Sequence, residues 1–142
     1  MKNYFSVRSS EEYQEKRNTG LVIVDLNTEW CGPCRRFAPV FQAMAKEYPE
    51  VTFLSVDSEK IDHADCESVS SVPTFKVFLN GELKREFSGV DKERLERYIK
   101  RYGRNDSRIQ IIVDGQPIKT FTKEIRDQIV EYLDSLLTDD RK

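Results

Sequence analysis

Two cysteines three positions apart, Cys31 and Cys34, are the residues of this chain best suited to chemistry, with Gly32-Pro33 between them and Trp30 in front. Positions i and i+3 of a helical turn share one face, so the two thiols can close into a disulfide and reopen to a dithiol. Pro33 suits the first turn of a helix, because the N–H it lacks would have no partner there. The pair therefore falls where a helix N-terminus offers unpaired N–H groups and partial positive charge. That setting stabilises a thiolate, the reactive form of cysteine. Cys31, at the helix entrance, is the expected attacking sulfur, exposed there, and Cys34 lies a turn inward. The same spacing also serves zinc. A zinc site would need two further ligands from Cys66 and His63, the remaining cysteine and histidine, and Pro33 argues against it, so no metal is expected.

Other side chains bear on the pair. Asp25 interrupts the apolar run Leu21–Leu26. An ionised carboxylate is costly to bury, so burial there raises its pKa. Arg35 and Arg36 directly follow Cys34; two guanidinium groups favour a Cys31 thiolate and acidic substrates. Cys66 is expected to be buried and inert, and His63 to lie on a helix surface.

These groups need a frame, and the order of elements reads as α/β. Tyr4–Val7 is a short strand, and Ser9 or Ser10 caps a helix to about Arg17. Leu21–Leu26 reads as a strand buried on both faces. Phe37, Val40, Phe41, Met44, Ala45 and Tyr48 recur at helical spacing after the cysteines. Val51–Val56 is a second central strand, and a weak helix spans about Asp62–Val69. Phe75–Leu79 and Leu83–Phe87 flank Asn80-Gly81, a strong hairpin signal. Asp91 caps a helix bearing Leu95, Tyr98, Ile99 and Tyr102, which Gly103 ends. Beyond it a second ββα pattern follows: a hairpin over about 108–121 turning at Asp114-Gly115, with Pro117 confining the return strand Ile118–Phe121 to an edge or a start. A helix over about 122–137 carries Ile125, Ile129, Leu133 and Leu136. This unit mirrors the preceding one at a constant offset, Gly81 mapping to Gly115 and Phe87 to Phe121.

Composition limits the classes. The 142 residues are 38% hydrophobic and 34% charged with a net charge of −2, which describes a well-charged globular chain. No basic field points to nucleic acid or an anionic membrane surface. The first sixteen residues, MKNYFSVRSSEEYQEK, have no apolar core of a signal peptide. Three cysteines, two of them in one motif, suit a reducing, cytoplasmic setting.

The stretch LVIVDLNTEWCGPCRRFAPVFQAMAKEY, residues 21–48, resembles the thioredoxin family. The likeness continues through Val69-Ser-Ser-Val-Pro-Thr-Phe75, Leu79-Asn-Gly-Glu82 and Phe87-Ser-Gly89. It covers roughly residues 4 to 103 and implies a thioredoxin fold, a central mixed sheet flanked by helices, with residues 104–142 as a ββα extension. It implies protein-disulfide reduction by dithiol–disulfide exchange, with Cys31 as nucleophile, Cys34 as the resolving thiol that forms the Cys31–Cys34 disulfide, and Asp25 as its proton acceptor and donor. Pro73 then stands in the place of a cis-proline beside the thiols. Trp30, Gly32, Pro33, Val72, Pro73 and Gly89 form the substrate-docking surface. Phe53 takes the place where bacterial members carry a buried lysine. Asn27 and Thr28 depart from the family pattern, and Asn27 is placed to alter strand packing. By resemblance the partners are an NADPH-dependent thioredoxin reductase and disulfide-bearing client proteins, and the protein needs no cofactor of its own and works as a monomer or weak dimer. The extension motivates one rival, a binding or scaffold module in which the redox pair is secondary.

Overall fold

The computed structural model of the chain describes residues 2–103, 111–113, 116–118, 127 and 131. The elements run β1 (Tyr4–Ser6), α1 (Ser10–Arg17), β2 (Leu21–Asn27), α2 (Gly32–Glu47), β3 (Thr52–Asp57), α3 (Ala64–Glu67), β4 (Thr74–Leu79), β5 (Glu82–Ser88), α4 (Lys92–Tyr102), β6 (Ile111–Val113) and β7 (Gln116–Ile118). They form a five-stranded sheet in the order β1-β3-β2-β4-β5 and a separate two-stranded sheet, β6-β7. In the larger sheet β3 is parallel to β1 and β2, whereas β4 is antiparallel to β2 and β5. The chain divides into two compact units, Met1–Leu95 and Glu96–Lys142, the division falling within α4.

Alternation along β2 sorts the core into two layers. Val22, Val24 and Leu26 pack in one cluster with Val7, Tyr13, Leu54, Val56, Ile61, Cys66 and Phe78, on the face covered by α1 and α3. Ile23 and Asp25 point to the opposite face, where α2 lies. Its Phe41 meets Phe53 edge to face with ring centroids 5.2 Å apart, and its Phe37 meets Phe75 at 5.5 Å. Six of the seven β2 residues are buried, as a central strand covered on both faces requires.

The local signals explain the element ends. Ser9 Oγ accepts the Glu12 N–H at 3.1 Å to cap α1, and Asp91 Oδ1 accepts the Arg94 N–H at 3.0 Å to cap α4. Asn80 and Gly81 have φ of 53° and 88°, the left-handed pair that a two-residue hairpin demands. The helix α2 runs on through Pro39.

Three readings are corrected. The weak helix is one turn, Ala64–Glu67, and His63 precedes it as its N-cap instead of lying on its surface. There the ring is half-buried and edge-on to Tyr13. Its Nδ1 accepts the Asp65 N–H at 3.0 Å, so its Nε2 carries the proton donated to Gln14 Oε1 at 2.7 Å. The return strand of the second hairpin begins at Gln116, before the expected Ile118, its described residues being Gln116–Ile118. It pairs with Ile111–Val113 in the register Val113↔Gln116, which reproduces Leu79↔Glu82 of the first hairpin at the offset read from the glycines. Pro117 is accommodated because both strands of a two-stranded sheet are edges. The turn 114–115, residues 119–121 and the stripe Ile125, Ile129, Leu133 and Leu136 expected on the final helix lie outside the described residues.

Candidate functional site

The strand β2 delivers the site. After Asn27 the chain leaves the sheet, passes Thr28, Glu29 and Trp30, and enters α2 at Cys31. Cys31 is the N-cap: its Sγ accepts the Cys34 N–H at 3.2 Å, a position where the orphan donors of a helix start favour negative charge on sulfur. Cys31 and Cys34 are joined as a disulfide with their Cα atoms 5.3 Å apart. Both are buried, at 4% and 5% exposure, so the entrance sulfur expected to be exposed is largely covered in this oxidised form. Trp30 is 66% exposed, and its indole N–H is shared between the two Glu59 carboxylate oxygens at 3.2 Å each. The two arginines behave differently. Arg35 Nη1 donates to the Glu29 carbonyl at 2.7 Å, tying the loop before the cysteines to α2. Arg36 folds back over Gly32, where a methyl group would come within 3.2 Å of its Nη1. The Glu29 carboxylate is paired with Lys60.

A second loop approaches from β4. The Val72–Pro73 peptide is cis, the geometry implied by the resemblance. Pro73 is buried and Val72 half-buried. The register Leu26↔Thr74 brings this loop to the end of β2. Gly89, exposed and at φ 92°, donates its N–H to the Pro73 carbonyl at 2.9 Å. Val72, Pro73 and Gly89 thus gather beside the strand end from which the cysteine loop departs.

Behind the cysteines lies a cavity of about 290 Å³ lined by Asp25, Asn27, Thr28, Cys34, Arg35 and Ser55, with Tyr4, Glu29, Ala38 and Phe41. Asp25 is 3% exposed, and its Oδ1 has no hydrogen-bond partner. Burial pushes its pKa up to about 7, the neighbouring Asn27 amide pulling weakly the other way. It is a carboxyl able to take and return a proton near neutral pH. Phe53, fully buried across from Ile23, supplies no charge. Asn27 Nδ2 donates to Ser55 Oγ at 3.0 Å and to the Asp25 carbonyl at 3.1 Å, so its effect on strand packing is to lock the ends of β2 and β3 together.

Asp25 also makes stability depend on pH. A carboxyl whose folded-state pKa exceeds its unfolded value keeps a proton that the unfolded chain has already lost. The associated stability is complete below about pH 4, the unfolded value being 3.8, and is lost as pH rises to about 7. Asp25→Asn should therefore flatten the decline in stability between pH 4 and pH 7 and raise stability at pH 8 by on the order of 2 kcal/mol, part of the relief being offset by the buried amide. Denaturant unfolding of both proteins across that range checks this.

Three polar groups take positions that the sequence does not reveal. Asn3 Nδ2 donates to the carbonyls of Ala45, Tyr48 and Val51, tying the C-terminal end of α2 to the start of β1. Lys76 is buried in β4, held by Ser68 Oγ at 3.2 Å and Glu86 at 3.6 Å. Thr28 is buried in the cavity. Cys66 is also buried, and burial pushes its thiol up to about 11. Among the described residues, no three His, Cys, Asp or Glu side chains come together as a metal site, and no helix is long and apolar enough to cross a membrane.

Comparison with known proteins agrees with this geometry. The family model described as Thioredoxin matches residues 5–101. A thioredoxin of Ophiophagus hannah is 42% identical over 91 residues, 62% of this chain and 87% of that protein. Thioredoxin-3 of Dictyostelium discoideum is 40% identical, the match covering 67% of this chain and 92% of its own. Among solved structures, Plasmodium falciparum thioredoxin is 36% identical with a TM-score of 0.62, covering 68% of this chain and 96% of that one. Fasciola hepatica thioredoxin gives 34% identity and the same score.

Proposed function

The chain belongs to the thioredoxin family, and from that premise we propose how this dithiol–disulfide oxidoreductase divides the work of protein-disulfide reduction among its residues. The Cys31–Cys34 disulfide at the start of α2 carries the reading. In the dithiol form Cys31, held where the helix start favours anionic sulfur, attacks one sulfur of a client disulfide; the client S–S bond breaks, its other sulfur leaves as a thiolate, and a Cys31–client mixed disulfide forms. Cys34 gives its proton to Asp25 and attacks Cys31. The Cys31–client bond breaks, the Cys31–Cys34 bond forms, and the client sulfur leaves as a thiolate. The client disulfide has then gained two electrons, and the two cysteines have lost them. Trp30, Gly32, Pro33, Val72, Pro73 and Gly89 dock the extended client segment, supported by their convergence on one end of the sheet.

The wider reading follows the same chemistry. Electrons come from NADPH through a thioredoxin reductase and pass to client proteins, in the service of redox homeostasis. A cytoplasmic setting is supported by a free third thiol beside one redox pair. Residues 1–103 form the redox domain and 104–142 an accessory extension, the protein acting as a monomer or weak dimer. The scaffold reading is not favoured. Insulin reduction coupled to NADPH and a thioredoxin reductase tests the proposal. Turnover by the full chain, retained when residues 104–142 are deleted, is the expected result; absence of turnover in the full chain overturns it.

A further inference from the structure

Two buried oxygens in the cavity behind the cysteines have no hydrogen-bond partner among the described residues: Oδ1 of Asp25 and Oγ1 of Thr28, in side chains 3% and 5% exposed. Both residues line the same space of about 290 Å³, which Cys34 also lines. Orphaned buried polar groups are costly and are ordinarily met by ordered water. A cavity this large, lined by two carboxyls, three hydroxyls, an amide and a guanidinium, is both roomy and polar enough to hold it. A hydroxyl differs from the other lining groups in one respect: it accepts one proton while donating another. Of the other hydroxyls lining the cavity, Ser55 already accepts from Asn27 and Tyr4 stands on β1, whereas Thr28 Oγ1 is one of the two oxygens left without a partner among the described residues.

We propose that Thr28 is a positioning residue for proton transfer, its hydroxyl bridging through water to Asp25 and passing the proton taken from Cys34 out to solvent. The inference deepens the role assigned to Asp25 and rests on it. The balance is simple. Cys34 loses its proton to Asp25 as its sulfur attacks Cys31 and the client thiolate departs. The Asp25 carboxyl, 3% exposed, must hand that proton on through the water and Thr28 as the sulfur attacks, so the path bears on resolution itself. The other charged or titratable groups facing the cavity are Glu29, which is paired with Lys60, Arg35, which donates to the Glu29 carbonyl, and Tyr4. Asp25 Oδ1 is without a hydrogen-bond partner from any of them. Thr28 precedes the cysteines by three positions and is one of the departures from the family pattern, so the path is a property of this chain.

Thr28→Val keeps the shape and deletes the hydroxyl; Thr28→Ser keeps the hydroxyl. The readout is single-turnover resolution of the mixed disulfide, followed by fluorescence of Trp30, the sole tryptophan, from pH 5 to 9 in water and in heavy water. Thr28→Val is expected to slow resolution about tenfold and to alter its pH profile and solvent isotope effect, with Thr28→Ser restoring both. In an Asp25→Asn background, Thr28→Val should change the rate less than twofold. Thr28→Ala serves if the valine variant does not fold. Normal resolution in both hydroxyl-less variants, while Asp25→Asn alone is slow, overturns the role of Thr28 and leaves that of Asp25 standing. Normal resolution in Asp25→Asn overturns both.

Discussion

Cys34→Ser is expected to abolish insulin reduction and to leave each chain joined to one client through Cys31. The reasoning is geometric. Cys31 keeps its place at the N-cap of α2, so the first exchange proceeds. Release requires a second sulfur one turn away, and Cys34, with its Cα atom 5.3 Å from that of Cys31, is the one so placed. Serine cannot form the closing bond. Cys66 cannot stand in, because burial holds its thiol near 11, which leaves about one molecule in ten thousand as thiolate at pH 7. Mass spectrometry should find a one-to-one adduct on Cys31 that dithiothreitol removes. Cys31→Ser should give neither turnover nor adduct. An adduct on Cys66, or multiple turnovers by Cys34→Ser, would contradict the assignment.

The largest expected loss of stability is at Phe41. This side chain is 1% exposed and stands among four aromatic rings. Its centroid lies 5.2 Å from Phe53, 6.0 Å from Phe75, 6.1 Å from Phe37 and 6.2 Å from Tyr4. Phe41→Ala removes transfer energy and leaves a void that sheet and helix can only partly close, at about 3–5 kcal/mol. Phe41 also lines the cavity of Asp25. The same substitution enlarges that cavity, admits solvent to the carboxyl and should bring its pKa back toward the ordinary carboxylate range. Chemical denaturation measures the first effect, and NMR titration of the Asp25 carboxyl the second. A change under 1 kcal/mol would mean that α2 does not depend on this contact.

Much of the frame was legible because its signals are local. Asn80-Gly81 announces a left-handed turn whatever surrounds it, and Asp91 and Ser9 satisfy helix donors three residues ahead. Leu21–Leu26 reads as a covered strand because its run is apolar without alternation. The cysteine pair was legible for the same reason: its function follows from spacing and a helix start. What escaped depends on partners distant in sequence. Asn3 reaches carbonyls more than forty positions away. His63 reads as a surface residue because nothing around it in the sequence suggests a partner, and its role emerges only with Gln14 and Tyr13 packed against it. Lys76 has no local signal of burial, and only the sheet order, with β4 between β2 and β5, places it inside. Thr28 became informative only when its hydroxyl proved to share a cavity with Asp25. The start of β7 differed from expectation because register, not β propensity, set where pairing begins.

The sealed third cysteine has a stoichiometric consequence. With Cys66 under the α1 face beside Tyr13 and Phe78, each copy offers its surroundings a single switchable sulfur pair, so it is either fully charged or fully spent. Odd-numbered oxidation states, and covalent dimers sewn through a stray surface thiol, are denied to it by packing alone.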